Sequence, residues 1–509
     1  MRKATILLLT LLAVTGCAVN PVTGKSELSF ISEAEEISRG QAQYLPSQQS
    51  QGGLLTVDPE LTAYVSQVGQ RVAEHSDRAL PYEFVVLNNG VPNAWALPGG
   101  KIAINRGLLL ELNNEAELAA VLGHEAVHAA AKHGVNAMQR GMILQGVVAA
   151  AAIGVAASDA DYGNYIIGGA QVGAQLINQR YGRGAELESD LYGIRYMAAA
   201  GYDPAAAISL QETFVHLSEG RRTSFLDGLF ASHPPSIDRV NANRQTVAEL
   251  GNPGGELGVQ RYQDAIAFIK ENQYAYQNFD EAQGHLGKRD YSGALRSLDA
   301  ALVQLPQEPR FHGLRGNVYY QQRKYEKALT AFSRAVELDT NYFEYHLGLG
   351  LVESKRGNRS LAKQHLERSN QLLPTAVAAN ELGELSLAAG NRELAKQYFG
   401  AAMNVSGDVG QQASNSFVRL DIADNPNNYF EVQAGLTNDG FLIARVANRS
   451  GLDVNRVVVQ FAASYNGAAR TVNVPLAIKV NTIRDANPGW QFPTSEGLRY
   501  QVNIVTVDL

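Results

Sequence analysis

Apolar residues recur along this chain with more than one period, and each period predicts a different kind of element. Leu61, Val65, Val68 and Val72 recur every three or four positions, the spacing of an amphipathic helix. Asp58-Pro59 just ahead of them reads as an N-cap followed by proline at the first helical position. Ser32-Glu33-Ala34-Glu35 reads as a capping box that opens an earlier helix. Beyond Tyr82 the runs shorten. Tyr82–Leu87 and Val91–Leu97 read as strands on either side of Asn88-Asn89-Gly90. Pro98-Gly99-Gly100 then turns the chain into a third strand, Lys101–Asn105. Asn114-Glu115-Ala116-Glu117 starts another helix, which carries Leu118, Val121, Leu122 and Ala126 and is expected to stop at His133-Gly134.

Between about Gly284 and Ala402 the pattern repeats. Ala294, Ala328 and Ala362 are 34 residues apart, and Ala395 falls one short of the next step. Pro306, Thr340 and Pro374 keep the same period, as do Gly316 with Gly350 and Tyr291 with Tyr325. Small residues where helices touch, aromatics between them and proline at the repeat end mark tetratricopeptide units. Three to four such units suffice to share one continuous core. After about Asp408 the texture changes again. Phe430-Glu431-Val432, Phe441–Val446, Val457–Ala462 and Thr471–Val474 read as short strands separated by Asn/Gly turns, the pattern of a small β-sandwich.

The length of 509 residues fits about three domains. A net charge of −7 without a basic run argues against a nucleic-acid binder. The chain has one cysteine, Cys17, so it forms no internal disulfide. Arg2 and Lys3, the apolar run Ile6–Val14 and then Thr15-Gly16-Cys17 read as a secretory signal peptide over residues 1–16. Val14-Thr15-Gly16-Cys17 resembles a bacterial lipobox, in which the cysteine is lipidated; the alternative is an ordinary signal peptide with a chance cysteine. Ala18 after the cysteine resembles an outer-membrane sorting signal. Gly141–Ala157 is apolar but rich in Ala and Gly, and short for a span of ~20 residues. It is read as buried or surface-lying helix beside the site, with membrane contact as the alternative.

The chemistry concentrates in Gly123-His124-Glu125-Ala126-Val127-His128. Residues four apart share one helix face, so His124 and His128 can direct two imidazoles at one metal ion. Glu125 lies beside the first ligand and is placed to serve as general base rather than as a ligand. Zn2+, one per chain, is the metal that such a site implies. Downstream, Glu186 and Asp190 are four apart on another helical segment. Glu186 can complete a two-histidine, one-glutamate site, or be a solvated carboxylate. Asp190 can hydrogen-bond the free ring nitrogen of a ligand histidine. Glu188 and His133 are read as solvated and structural, respectively.

His124–Gly134, Arg183–Asp190 and Asn93–Leu109 together resemble the HtpX-like gluzincin zinc metallopeptidases, whose pattern joins His-Glu-x-x-His to a later Glu-x-x-x-Asp. The resemblance implies metal ligands His124, His128 and Glu186, catalytic Glu125 and a supporting Asp190. It also implies a substrate-binding edge strand at Asn93, Ala94 and Trp95. His233, in His233-Pro234-Pro235 with Arg239, resembles a family element; it would stabilise an oxyanion or latch the open metal position, or else be structural. Gly182 before Arg183 and Ser189 before Asp190 depart slightly from the family pattern. The exported branch of the family also carries tetratricopeptide repeats and acts in outer-membrane protein assembly and quality control.

The expected fold is therefore α+β and multidomain. A mainly helical zincin-type peptidase domain with a small β-sheet spans 17–255. An α-solenoid of tetratricopeptide repeats spans 256–404, and a small β-sandwich-like domain spans 405–509. The expected function is a zinc-dependent endopeptidase, lipid-anchored at Cys17 to the outer membrane and facing the periplasm. Its expected partners are unfolded or misassembled envelope proteins, protein partners bound by the repeats, and the membrane, with no nucleic acid. The alternative is a chaperone-like repeat scaffold with a latent or latched metal site.

Overall fold

A computed structural model describes residues 17–28, 30–139, 180–219, 229–493 and 495–509. The signal segment 1–16 and the apolar stretch Gly141–Ala157 lie outside the described residues. The chain divides into two compact units, Met1–Pro374 and Thr375–Leu509.

The first unit opens with a short antiparallel pair, β1 (Cys17–Val19) and β2 (Ser26–Leu28), with Cys17 opposite Leu28. Helices α1 (Glu33–Ser50) and α2 (Pro59–Ala73) follow. They begin where the caps predict: the Ser32 side chain accepts from the amide of Glu35, and that of Asp58 from Leu61. Strands β3 (Glu83–Leu87), β4 (Ala94–Leu97) and β5 (Lys101–Asn105) form a sheet in the order β3-β5-β4. β3 runs parallel to β5, and β4 antiparallel to it with Trp95 opposite Ala103. β4 therefore lies at an edge. It is shorter than the Val91–Leu97 run predicted, although Asn93 extends the ladder by accepting from the Asn105 amide at 2.8 Å.

After a single turn, α3 (Arg106–Leu109), comes α4 (Glu115–Ala130), capped by the Asn114 side chain. Every residue of α4 is buried, as expected of a helix that is apolar on nearly all sides. It ends earlier than predicted. Lys132 adopts φ +59°, the left-handed region, and the chain resumes helical turns from His133. Helices α5 (Arg183–Ala199) and α6 (Ala206–Glu219) pack on α4, and α7 (Ile237–Glu249) packs on α5 and α6.

The repeats follow as antiparallel pairs. In the first unit these are α8 (Gln273–Gly287) with α9 (Tyr291–Gln304), α10 (Pro309–Gln321) with α11 (Tyr325–Leu338), and α12 (Phe343–Lys355) with α13 (Arg359–Leu372). The periodic small residues have a steric cause. A Cβ on Gly316 would meet the Phe332 ring at 2.8 Å, and one on Gly350 would meet Leu366 at 2.5 Å. These two repeats thus seat a large residue of the second helix in a glycine notch on the first. Ala294, Ala328 and Ala362 are fully buried.

The repeats are joined to the preceding helices and sheet by buried polar contacts. Tyr276 donates to Glu308 at 2.8 Å, and the Arg106 guanidinium lies 3.5 Å from the Tyr276 ring centre. Gln49 at the end of α1 donates to the Asn341 carbonyl and accepts from the Phe343 amide, both at 2.8 Å.

The second unit holds another helical pair, α14 (Ala376–Ala388) and α15 (Arg392–Ala402), and then α16 (Asp408–Asp421). Two three-stranded antiparallel sheets follow. One has β7 (Leu442–Asn448) between β10 (Ile483–Ala486) and β6 (Phe430–Leu436). The other has β8 (Val454–Tyr465) between β11 (Leu498–Asp508) and β9 (Ala468–Ile478). Residues of both, including Val446, Val459, Phe461 and Ile504, share one apolar core, the packing of a sandwich. No described helix is long and apolar enough to cross a membrane.

Candidate metal centre

The site is assembled where α4 and α5 approach closely. Their contact is made by glycine on both sides: a Cβ on Gly193 would lie 2.9 Å from the His124 amide nitrogen, and one on Gly123 would lie 3.1 Å from the Gly193 carbonyl oxygen. Only a residue without a side chain permits this separation. It brings Glu186, two turns before Gly193 on α5, over the face of α4 that carries His124 and His128.

The ring nitrogens converge. His124 Nε2 lies 3.0 Å from His128 Nε2 and 3.3 Å from His233 Nδ1. The Glu186 carboxylate reaches all three rings, at 3.6 Å from His124 Nε2, 3.4 Å from His128 Nε2 and 3.1 Å from His233 Nδ1. One donor atom from each of His124, His128, Glu186 and His233 lies within 4.8 Å of the others. His124 Nδ1 is 2.9 Å from Asp190 Oδ1, an acceptor, which assigns the ring proton to Nδ1 and leaves Nε2 bare. A bare Nε2 held against two other ring nitrogens and a carboxylate is a donor set that suits a divalent cation.

Arg239 braces the carboxylates. It donates to both oxygens of Asp190 at 2.7 Å, and its Nη1 lies 2.8 Å from Glu186 Oε2. Burial pushes the Asp190 carboxyl up, but the Arg239 charge and hydrogen bonds outweigh it and hold the group below its usual range. Burial likewise opposes ionisation of Glu186; the charge of the adjacent His233, with the close approach of the His128 and His124 rings, more than reverses it. Burial drives His128 well below the ordinary imidazole value, which favours the neutral ring that a metal requires. At His233 burial is overcome by Glu125 and Glu186, which raise it.

Glu125 stands beside this set. Its Oε1 lies 3.5 Å from His233 Nε2, and its Oε2 is buried with no hydrogen-bond partner. Burial pushes its carboxyl up, against the opposing pull of His233 and His124. A cleft lined by Ala120, Val121, Leu210, Phe214 and Leu229 opens beside His124 and Glu125. Of the three edge-strand residues, Ala94 lines that cleft, whereas Trp95 packs edge-on to Tyr44 with ring centres 6.3 Å apart. Asn93 is buried at the strand's start.

Three neighbours stand closer to this set than the sequence reading placed them: Tyr181, which it did not consider, and His133 and Glu188. The Tyr181 ring lies over His128 with centres 4.0 Å apart. His133 Nδ1 lies 3.0 Å from His128 Nδ1, and Glu188 Oε1 lies 3.3 Å from His133 Nε2. A single tyrosine in a loop carries no pattern; His133 reads as off the ligand face if the helix is continuous, and Glu188 reads as solvated because it lies two positions from Glu186.

Residues 59–247 match the model of peptidase family M48. This segment is an M48 peptidase domain. It contains every residue of the converging set, and residues 316–357 match a tetratricopeptide-repeat model. The chain is 26% identical over 346 residues to the beta-barrel assembly-enhancing protease of Escherichia coli K12, covering 63% of this chain and 70% of that protein. It is 32% identical over 194 residues to the mitochondrial metalloendopeptidase OMA1 of Schizosaccharomyces pombe, covering 37% and 53%. It is 29% identical over 190 residues to the metalloprotease YcaL of Escherichia coli K12, covering 36% and 71%. The M48 domain is thus that of a metalloendopeptidase.

Proposed function

We propose that the protein is a zinc endopeptidase of the bacterial cell envelope in which His124, His128 and Glu186 hold the ion and Glu125 is the general base. The convergence of four donor atoms beside an orphaned Glu125 oxygen carries this reading. When bound, zinc lowers the pKa of a water and polarises the scissile carbonyl. The residues of the chain do the rest. Glu125 takes the proton from the attacking water at its unpartnered Oε2 and returns it to the leaving amine. Asp190, braced by Arg239, keeps the His124 proton on Nδ1. The β4 edge at Asn93, Ala94 and Trp95 holds an extended substrate by backbone pairing. His233 directs Nδ1 into the donor set, which supports the latch: it occupies the position that substrate needs and swings out when the site opens.

The domain limits 17–255, 256–404 and 405–509 belong to the same proposal, with the repeats recruiting protein clients. Similarity to the beta-barrel assembly-enhancing protease supports a role in outer-membrane protein assembly, in the periplasm. The Val14-Thr15-Gly16-Cys17 motif supports lipidation at Cys17 and anchoring to the outer membrane; mass spectrometry of the mature N-terminus tests it. Repeats used only as a scaffold would not need Glu125.

The deciding experiment is casein proteolysis by the purified protein with metal content measured in parallel, repeated on Glu125→Gln. Wild type holding about one zinc per chain and cutting, with a variant that holds zinc and cuts at least ~100-fold more slowly, is expected. A wild type that binds no metal would overturn the proposal.

A further inference from the structure

The two histidines of α4 are braced from opposite sides, and only one brace is legible in the sequence. Asp190 meets the Nδ1 of His124 directly. The Nδ1 of His128 faces His133 instead, at 3.0 Å. On an uninterrupted helix a residue five positions on would point away from His128, since five residues turn the helix by ~500°, or ~140° off the starting face. The left-handed Lys132, at φ +59°, breaks that geometry and turns the buried His133 ring back toward His128. Non-glycine residues adopt this conformation at a cost, so the turn has to be held by its surroundings. Lys132 Nζ, 3.5 Å from the buried Glu36 carboxylate, is one such restraint.

The proton assignment is consistent along the chain of contacts. His128 Nε2 faces the donor set, so its proton sits on Nδ1 and is donated to His133 Nδ1. His133 then carries its own proton on Nε2 and donates it to Glu188 Oε1 at 3.3 Å. The Ser189 hydroxyl, 3.4 Å from His133 Nδ1, is the other polar contact of that nitrogen. Glu186, Glu188 and Asp190 thus all come from one stretch of α5 and all serve the same centre.

We propose that His133 and Glu188 are positioning residues that fix the tautomer and orientation of His128 for metal binding. The inference rests on the metal-centre reading above. It gives His128 a relay ending in a carboxylate, as Asp190 gives His124, and partners of this kind govern metal affinity without touching the ion.

The test measures zinc affinity of the full chain by chelator competition, together with the visible absorption spectrum of the cobalt-substituted protein. His133→Leu keeps bulk but removes the acceptor, and is expected to weaken zinc binding about 10- to 100-fold and to alter the cobalt spectrum. His133→Asn restores an acceptor near the Nδ1 position and is expected to recover most of the affinity and the spectrum. Wild-type affinity and spectrum in His133→Leu would overturn the proposal while leaving the peptidase reading intact; a wild type without metal affinity would instead remove the reading on which it rests. Equal losses in the Leu and Asn variants would also overturn it, because packing alone would then explain both. If His133→Leu does not fold, the partly exposed Glu188 carries the test. Glu188→Ala is expected to weaken zinc binding at least about threefold, and no change would overturn the proposal.

Discussion

The side-chain amide of Asn88, just past β3, donates to both oxygens of Glu308, each at 3.0 Å, across 220 residues of sequence. Glu308 also caps α10 through the Arg310 amide and accepts from Tyr276, so one fully buried carboxylate ties the sheet to the repeats. Replacing it by alanine leaves these donors buried without a partner. Glu308→Ala is expected to lower the unfolding free energy of the first unit by about 1–3 kcal/mol for each donor stranded, read from urea denaturation. Pairing it with Asn88→Ala should cost less than the sum of the single changes, because the two share one interaction.

The glycine contact between α4 and α5 makes a separate prediction. Gly193→Ala places a methyl 2.9 Å from the His124 amide nitrogen and forces the helices apart. Overpacking of this kind costs about 1–3 kcal/mol, and the displacement moves Glu186 away from the histidines. Both the melting temperature and the bound metal should fall. Gly184→Ala, on the same helix with open space around it, should change neither.

Asp190→Asn is nearly isosteric but keeps only one acceptor oxygen, so it cannot serve both His124 Nδ1 and the two donors of Arg239. Metal affinity is expected to drop about 10- to 100-fold, measured by chelator competition, with the circular dichroism spectrum unchanged.

In the second unit Asp421 accepts from Tyr429 at 2.8 Å and from Asn425 at 2.8 Å, and pairs with Lys396 at 2.7 Å. Burial opposes its ionisation, but these partners outweigh burial and hold its carboxyl below the ordinary aspartate range. A depressed folded pKa stabilises above the unfolded value of about 3.9 and is lost as pH falls through the folded one. Wild type should therefore unfold at higher temperature than Asp421→Asn at pH 7. The gap should close progressively below about pH 4, as followed by calorimetry.

Local signals in the chain were enough for the elements. Caps at Ser32, Asp58 and Asn114 hold their helices by contacts three residues away, and the 34-residue spacing of Gly316 and Gly350 encodes a packing notch that recurs from one repeat to the next. The pair His124 and His128 was legible for the same reason, since one helical turn sets their common face. What folding decided is everything that depends on distance in space. Glycine contact between α4 and α5 brings Glu186 to the rings. Arg239 reaches Asp190 from a helix 49 residues on. A single left-handed residue, Lys132, redirects His133 to His128. No periodicity records such a turn, because one backbone angle outside the helical region overturns the facing that the sequence spacing implies.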